Sequence, residues 1–554
     1  MSDSYDLLVI GAGTAAMVAS MRVRAAGWRV AVVDSRPLGG TCALRGCDPK
    51  KMLIGGTSAV DHARRMAGRG VAGDARVDWR ELMAFKRSFT DPVPAKNEAR
   101  YADKGIDAFR GQARFTGPSS LAIEGVGVLR SRHFLIASGA EPVRLGIAGE
   151  QHLVDNEGFL ALESLPKRIA MVGGGYIAAE FSHIAAVAGS EVTILQHGDR
   201  MLKGFDPDLV GWLMPAFEDR GIAVRTSTSV EAIKKTAQGF RVQASSGGKQ
   251  RAFDVDLVVH AAGRAPRFDE LNVQAAGIET VNGRLRLNEF LQSVSNPAVY
   301  AAGDAAQSGP PLTPVSIHDA KVVAANLLQG NHLRPDYRGV PSVAFTLPPI
   351  ASVGMSEEQA RRDGFKFRMK SELAPTWFTA RQAAEKVYGY KVLVDESTDL
   401  ILGAHLVGPR VDEAINLFAL AVMTATVRGE TGSFVSRYMW GIADAVLEHG
   451  GSLVGKVQLP QWVAGRTSRS VQRLRTCAGQ RDPGVRIYSR MGRCGGRRSV
   501  RRSGVKGGRS PAQRTLEAAQ GAHACLWLWG RHADPTAILA RFVLLECYPE
   551  HRGT

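Results

Sequence analysis

Two cysteines, Cys42 and Cys47, stand in the run GGTCALRGCDPKK, separated by Ala43, Leu44, Arg45 and Gly46. Thiol–disulfide exchange needs one exposed thiolate that attacks and a second thiol that resolves the mixed disulfide. A pair about one helical turn plus a residue apart can supply both, with the two sulfurs on one side of a helix start. The positive end of a helix lowers a thiol's pKa, and Arg45 and Lys50 add positive charge. Two other readings stand beside redox cycling: inert buried cysteines, or two ligands of a metal site. Zinc would want two further ligands close by, and no Cys or His pair supplies them, so no metal is expected.

The elements around the pair set its context. It follows DLLVIGAGTAAMVASMRVRAAGWRVAVVD, which reads as strand, glycine turn, helix and second strand. Gly11 permits the tight turn, Gly13 lets the backbone approach a pyrophosphate, and Ala16 is small enough for helix–strand packing. The helix N-terminus offers its free N–H groups to the anion. Asp34 ends the second strand about twenty residues on, where a carboxylate accepts bonds from a ribose hydroxyl. A second unit, RIAMVGGGYIAAEFSHIAAVAGSEVTIL, repeats the pattern, with Gly11 and Gly173 opening loops 162 residues apart. Its loop carries Gly173, Gly175, Tyr176 and Ile177. The following strand ends in Gln196 and His197, with Arg200 and Lys203 beyond. No carboxylate stands there to grip a 2′-hydroxyl, and this set better suits a 2′-phosphate. NADPH is therefore expected, with NADH as the alternative. Two nucleotide sites and one dithiol suggest electrons passing from a nicotinamide, through a flavin, to a disulfide.

Composition narrows the class. Of six cysteines, Cys477, Cys494, Cys525 and Cys547 lie near the C-terminus and only Cys42 and Cys47 lie in the body, unlike a disulfide-stapled secreted fold. The apolar start YDLLVIGAG lacks the basic flank of a signal peptide and reads as a buried strand and turn. No apolar run has the roughly 18–20 residues that cross a bilayer, so a cytoplasmic protein is expected. The net charge of +17 misleads: Arg466 to Arg514 holds fifteen Lys/Arg and one acid, Asp482, which leaves about +3 for the rest. That stretch, with aromatic character only at Tyr488, reads as a disordered charged tail. Nucleic-acid binding through it is the weaker alternative.

Along the chain, FLIASGAEP ends the first unit with Ser138 and Gly139, and DLVVHAAGRAPR ends the second with Gly263 and Arg264. VYAAGD (Gly303, Asp304) and LTPV (Thr313) follow, and from Pro341 alternating runs such as YKVLVDE and LILGAHLVGP predict an antiparallel sheet. With FTLPPIASVGMSEEQA, these motifs, in this order over residues 5 to about 420, make the chain resemble the class I flavoprotein disulfide reductases: glutathione reductase, dihydrolipoamide dehydrogenase and mercuric reductase.

The resemblance implies an α/β fold with two Rossmann-like FAD- and NAD(P)-binding domains and an α+β C-terminal dimerisation domain. FAD binding is expected in 1–155 and 275–335, NAD(P)H binding in 156–274 and dimerisation in 338–460, atypical after about 423; a basic tail fills 461–554. It implies that Cys42 attacks a small-molecule disulfide, that Cys47 lies against the flavin, and that Lys50 pairs with Glu180. Tyr176 would cover the nicotinamide pocket and Asp304 would bind the ribityl chain, while Gly40, Thr41, Lys51, Ser138, Gly139, Gly263, Arg264, Gly303 and Thr313 complete the cofactor contacts. The paired lysines of DPKK favour glutathione-type chemistry, with lipoamide or Hg(II) as alternatives, in a homodimer. Two features depart from the family: Ala43-Leu44-Arg45 replaces a Val-Asn-Val type, and the His-Pro-Thr…Glu motif that supplies an acid/base across the dimer is not found. His449 beside Glu448 has the wrong surroundings. A shift of reading frame in a GC-rich gene would produce such an end, and an inactive flavoprotein is the non-enzyme alternative.

Overall fold

The computed structural model describes residues 4–425; His449 and the basic tail lie outside the described residues. The centre of the first sheet forms because its parallel strands are runs of Leu, Val and Ile buried on both faces, as parallel strands under helices must be. Strand β1 (Ser4–Ile10) leads through the glycine turn into helix α1 (Thr14–Ala25), and strand β2 (Val30–Asp34) returns parallel to β1, with Val9 beside Val32. Two helices follow, α2 (Gly40–Arg45) and α3 (Cys47–Arg65). The seven-stranded sheet places β2 and β1 between strand Asp107–Arg110 and the long strand Gly127–Ile136. Strand Val299–Ala301, far on in sequence, joins the same sheet parallel to Gly127–Ile136.

The second unit is a four-stranded parallel sheet in the order Ile222–Arg225, Glu191–Leu195, Arg168–Val172, Leu257–His260. Helix Tyr176–Val187, apolar nearly all round, is buried against it. The predicted antiparallel sheet is present, five strands in the order Ser342–Ala344, Ile350–Gly354, Ile401–Val407, Gly389–Asp395, Phe367–Leu373. Helix Val411–Ala425 packs Ile415, Phe418 and Ala419 onto it. Among the described residues no helix is long and apolar enough to cross a membrane.

Candidate active site

Cys42 and Cys47 do not share one helix start. Cys42 sits inside α2, Gly46 breaks the backbone with φ −148° and ψ −104°, and Cys47 opens α3. The expected single helix is corrected to two, and the sulfurs are brought together by the break. A Cβ on Gly46 would fall 3.1 Å from the Thr41 carbonyl oxygen, so a larger residue at this corner would press α2 by a few tenths of an ångström.

A third residue organises the thiols. Thr313 opens the helix Thr313–Gln329; its hydroxyl donates to Cys42 Sγ at 3.0 Å and lies 3.4 Å from Cys47 Sγ. The sequence reading put Thr313 among cofactor contacts; the structure places its hydroxyl on the dithiol. Both thiols are free and half-buried. Their protonation is strongly asymmetric. Cys47 is pulled down to about 6, chiefly by a hydrogen bond from the Cys42 thiol, then by Thr313 and the Lys50 charge, all against the penalty of burial. Cys42 is pushed up by that same bond to Cys47 and by burial. These opposed shifts favour the proton on Cys42 and the negative charge on Cys47 in the reduced pair at neutral pH.

Lys50, one turn along α3 from Cys47, meets Glu180 on the facing helix as expected: Nζ donates to Oε1 at 2.8 Å, with the Glu180 side chain 1% exposed. The same oxygen accepts the Phe345 backbone N–H at 2.9 Å. The Phe345 ring lies 4.7 Å from Lys50 Nζ and 4.8 Å from Lys51 Nζ. Lys51, expected at the cofactor, is exposed and caps this ring. Phe345 escaped the sequence reading as a functional residue, although the motif that contains it was recognised.

The first glycine loop is built for a close-lying ligand. Gly11 has φ +107°, and a Cβ there would lie 2.3 Å from the Ala137 carbonyl oxygen. Gly13 caps α1 without any side-chain bond, leaving amides free for an anion. Gly40, at φ +67°, presses on Gly13, where an added Cβ would come within 2.3 Å of Gly13 Cα. Ala16 is fully buried against the sheet, and Thr41 follows Gly40 in α2. Asp34 accepts the Ala12 N–H at 2.8 Å on one oxygen and the Arg36 N–H at 2.9 Å on the other. It lines a cavity with Gly11, Ser138 and Arg267. Ser138 Oγ donates to the Arg267 carbonyl, and Gly139 turns at φ +74°. This cradle of free amides, bare glycine backbone and an apolar cleft ending in a carboxylate suits a dinucleotide such as FAD. Arg267 lines it too and was missed, because AAGRAPR drew attention to Arg264 alone.

Asp304 is pushed up by burial, with Arg264 opposing. Arg264 donates to Asn156 Oδ1 at 2.7 Å, and Asn156 donates to the Arg45 carbonyl at 2.7 Å, so the two arginine segments are tied through one amide. The Gly303 N–H is held by the buried Asp319 at 3.0 Å.

At the second loop, Gly173 has φ +112° against the Ala261 carbonyl, Gly175 caps helix Tyr176–Val187 without a side-chain bond, and Gly263 turns at φ +115°. Tyr176 is exposed at that helix start and Ile177 packs toward the core. The presumed phosphate-gripping set is split. Gln196 is buried and donates to the Arg200 carbonyl at 3.3 Å, while Arg200 donates to the Phe205 and Lys203 carbonyls at 3.0 and 3.2 Å. His197 and Lys203 face outward.

The family described as "Pyridine nucleotide-disulphide oxidoreductase" matches residues 5–320, and its dimerisation domain matches 340–431. A glutathione reductase of Burkholderia cepacia is 32% identical over 433 residues, covering 77% of this chain and 94% of that protein. A dihydrolipoyl dehydrogenase of Thermus scotoductus is 32% identical over 434 residues, covering 76% and 92%. A mercuric reductase of Lysinibacillus sphaericus is 30% identical over 427 residues, covering 76% and 77%. Among solved structures, the HOCl-induced flavoprotein disulfide reductase RclA from Escherichia coli superposes with a TM-score of 0.68 at 27% identity, covering 81% of this chain and all of that one.

Proposed function

The chain belongs to the pyridine nucleotide-disulphide oxidoreductase family, and from that premise we propose that it reduces a low-molecular-weight disulfide of the glutathione type at the expense of NADPH. Family members use FAD and NAD(P)H. The observation that carries the reading is the Cys42–Thr313–Cys47 contact one helical turn from the Lys50–Glu180 pair. FAD, when bound in the first cradle by Gly11, Gly13, Asp34, Ser138 and Asp304, supplies the two-electron relay between nicotinamide and dithiol.

The chain's own residues do the rest. Cys42, nearer the substrate side by resemblance, loses its proton and attacks one sulfur of the disulfide. The S–S bond breaks, and one half leaves as a thiol after taking a proton. Cys47, held as a thiolate by Cys42, Thr313 and Lys50, then attacks Cys42 Sγ; the second half leaves and the Cys42–Cys47 disulfide forms. The second half takes up a solvent proton as it leaves, and a hydride equivalent from NAD(P)H restores the Cys42 thiol and Cys47 thiolate, so NAD(P)H, one proton and one disulfide yield NAD(P)+ and two thiols. Glu180 and the Phe345 ring hold the Lys50 ammonium in place beside the dithiol.

The paired Lys50 and Lys51 favour a glutathione-type substrate, and Gln196 in place of a carboxylate directly after strand Glu191–Leu195, with His197 and Lys203 exposed, favours NADPH over NADH. A cytoplasmic setting suits a dithiol that must return to the reduced state. The test is an anaerobic titration of the purified protein with NADPH and, separately, NADH. A long-wavelength thiolate–flavin band that disappears in Cys47→Ser supports the relay; bleaching of the flavin without that band contradicts it. A substrate panel of glutathione disulfide, lipoamide and Hg(II) then separates the three activities named for the relatives.

A further inference from the structure

We propose that Arg45 is a binding residue for the phosphate-bearing half of the dinucleotide in the first cradle; the inference rests on the FAD reading above. Arg45 closes α2. Its side chain is only 15% exposed, and its Nε lies 3.4 Å from Glu157 Oε1. That oxygen is already taken by Arg36 Nη1 at 2.6 Å. Arg45 Nε is buried without a hydrogen-bond partner, so one carboxylate serves two guanidiniums and serves Arg45 poorly.

A buried guanidinium whose Nε–H finds no hydrogen-bond partner and which shares its carboxylate favours a second anion nearby. The cluster adjoins the cradle, since the Arg36 N–H binds Asp34, which lines the cavity with Gly11 and Arg267. The charges of Asp34 and Arg267 act on Arg45 as well, while burial pulls its pKa down. A guanidinium with an unpartnered Nε–H matches a phosphate oxygen better than it matches a neutral sugar or base.

The experiment measures FAD release from the holoprotein by flavin fluorescence, at low and high salt, for the wild type, Arg45→Leu, Arg45→Lys and Glu157→Gln. ADP and adenosine serve as displacing probes. Arg45→Leu should weaken FAD and ADP by about tenfold at low salt, with a shallower salt dependence, and leave adenosine unchanged. Arg45→Lys should recover part of the loss and guards against misfolding of the leucine variant. Glu157→Gln should bind at least as tightly as wild type, because it frees both arginines. Equal FAD affinity in wild type and Arg45→Leu would overturn the inference alone. So would parallel losses in Arg45→Leu and Glu157→Gln, the mark of a purely structural ion pair. A purified chain that neither carries nor takes up flavin would overturn the FAD reading and this inference with it.

Discussion

Cys42 and Cys47 share one proton unequally, and that asymmetry sets a pH dependence. Cys47 is depressed to about 6, so its thiolate is present above that value and is lost as pH falls through it. In the two-electron-reduced protein the long-wavelength band should therefore be full at neutral pH and fade with a midpoint near 6. Thr313→Val removes one of the bonds that lower Cys47, so its midpoint should move upward; an unchanged midpoint would show the hydroxyl to be a bystander. Lys50 offers a second test. Lys50→Met leaves Glu180, 1% exposed, without its cation, and breaking such a buried pair costs roughly 3–5 kcal/mol. Thermal or urea unfolding should show that loss, and Lys50→Met with Glu180→Gln should recover most of it. The Lys50–Glu180 pair was legible because a family resemblance linked positions 130 residues apart. Thr313 was legible only as a cofactor contact, because the fold alone brings its hydroxyl onto a thiol 271 residues away.

Elements carry these side chains to one place, and here local sequence was a mixed guide. The two glycine turns were readable because positive φ and close backbone approach leave glycine as the tolerated residue. Gly173→Ala meets both obstacles, φ +112° and a Cβ 2.3 Å from the Ala261 carbonyl. The break at Gly46 was not readable: nothing in GGTCALRGCDPKK distinguishes one bent helix from two. Nor was the joint between the nucleotide unit and the antiparallel sheet. Lys391, central in strand Gly389–Asp395 and 1% exposed, places its Nζ 3.0 Å from Asp206, 2.6 Å from Asp208 and 3.1 Å from Glu357. Alternation marks that strand, but alternation cannot say that a lysine on it is buried against acids nearly two hundred residues earlier. Asp206 also caps helix Pro207–Asp219, just past the loop bearing Arg200 and Lys203. Lys391→Met should therefore destabilise by roughly 3–5 kcal/mol, with early loss of nicotinamide binding relative to flavin binding. Following both ligands during urea titration checks this, and simultaneous loss would mean that the joint does not set the loop.

For the molecule as a whole, the organisation into two nucleotide units and a terminal α+β unit was readable from motif order, since each motif marks a strand end or helix start. The return of strand Val299–Ala301 to the first sheet follows from no local pattern, only from the pairing left open beside Gly127–Ile136. At this scale the property to test is assembly, since residues 340–431 match the family's dimerisation domain. Helix Val411–Ala425 buries Ile415, Phe418 and Ala419 on its own sheet and turns Leu417 and Met423 outward, 38% and 53% exposed. Apolar residues on the outer face of such a helix are at home against a second copy. Across a two-fold axis each counts twice, at about 1.5–3 kcal/mol per buried side chain. Light scattering after size exclusion should give the mass of two chains for the protein and of one chain for Leu417→Lys with Met423→Lys. Flavin content and the dithiol band should survive in that variant, because the cradle, Cys42, Cys47 and Thr313 all come from a single chain. Disulfide turnover that falls with the dimer while the band persists would place the acid/base function across the interface; turnover unchanged in the monomer would place it within the chain.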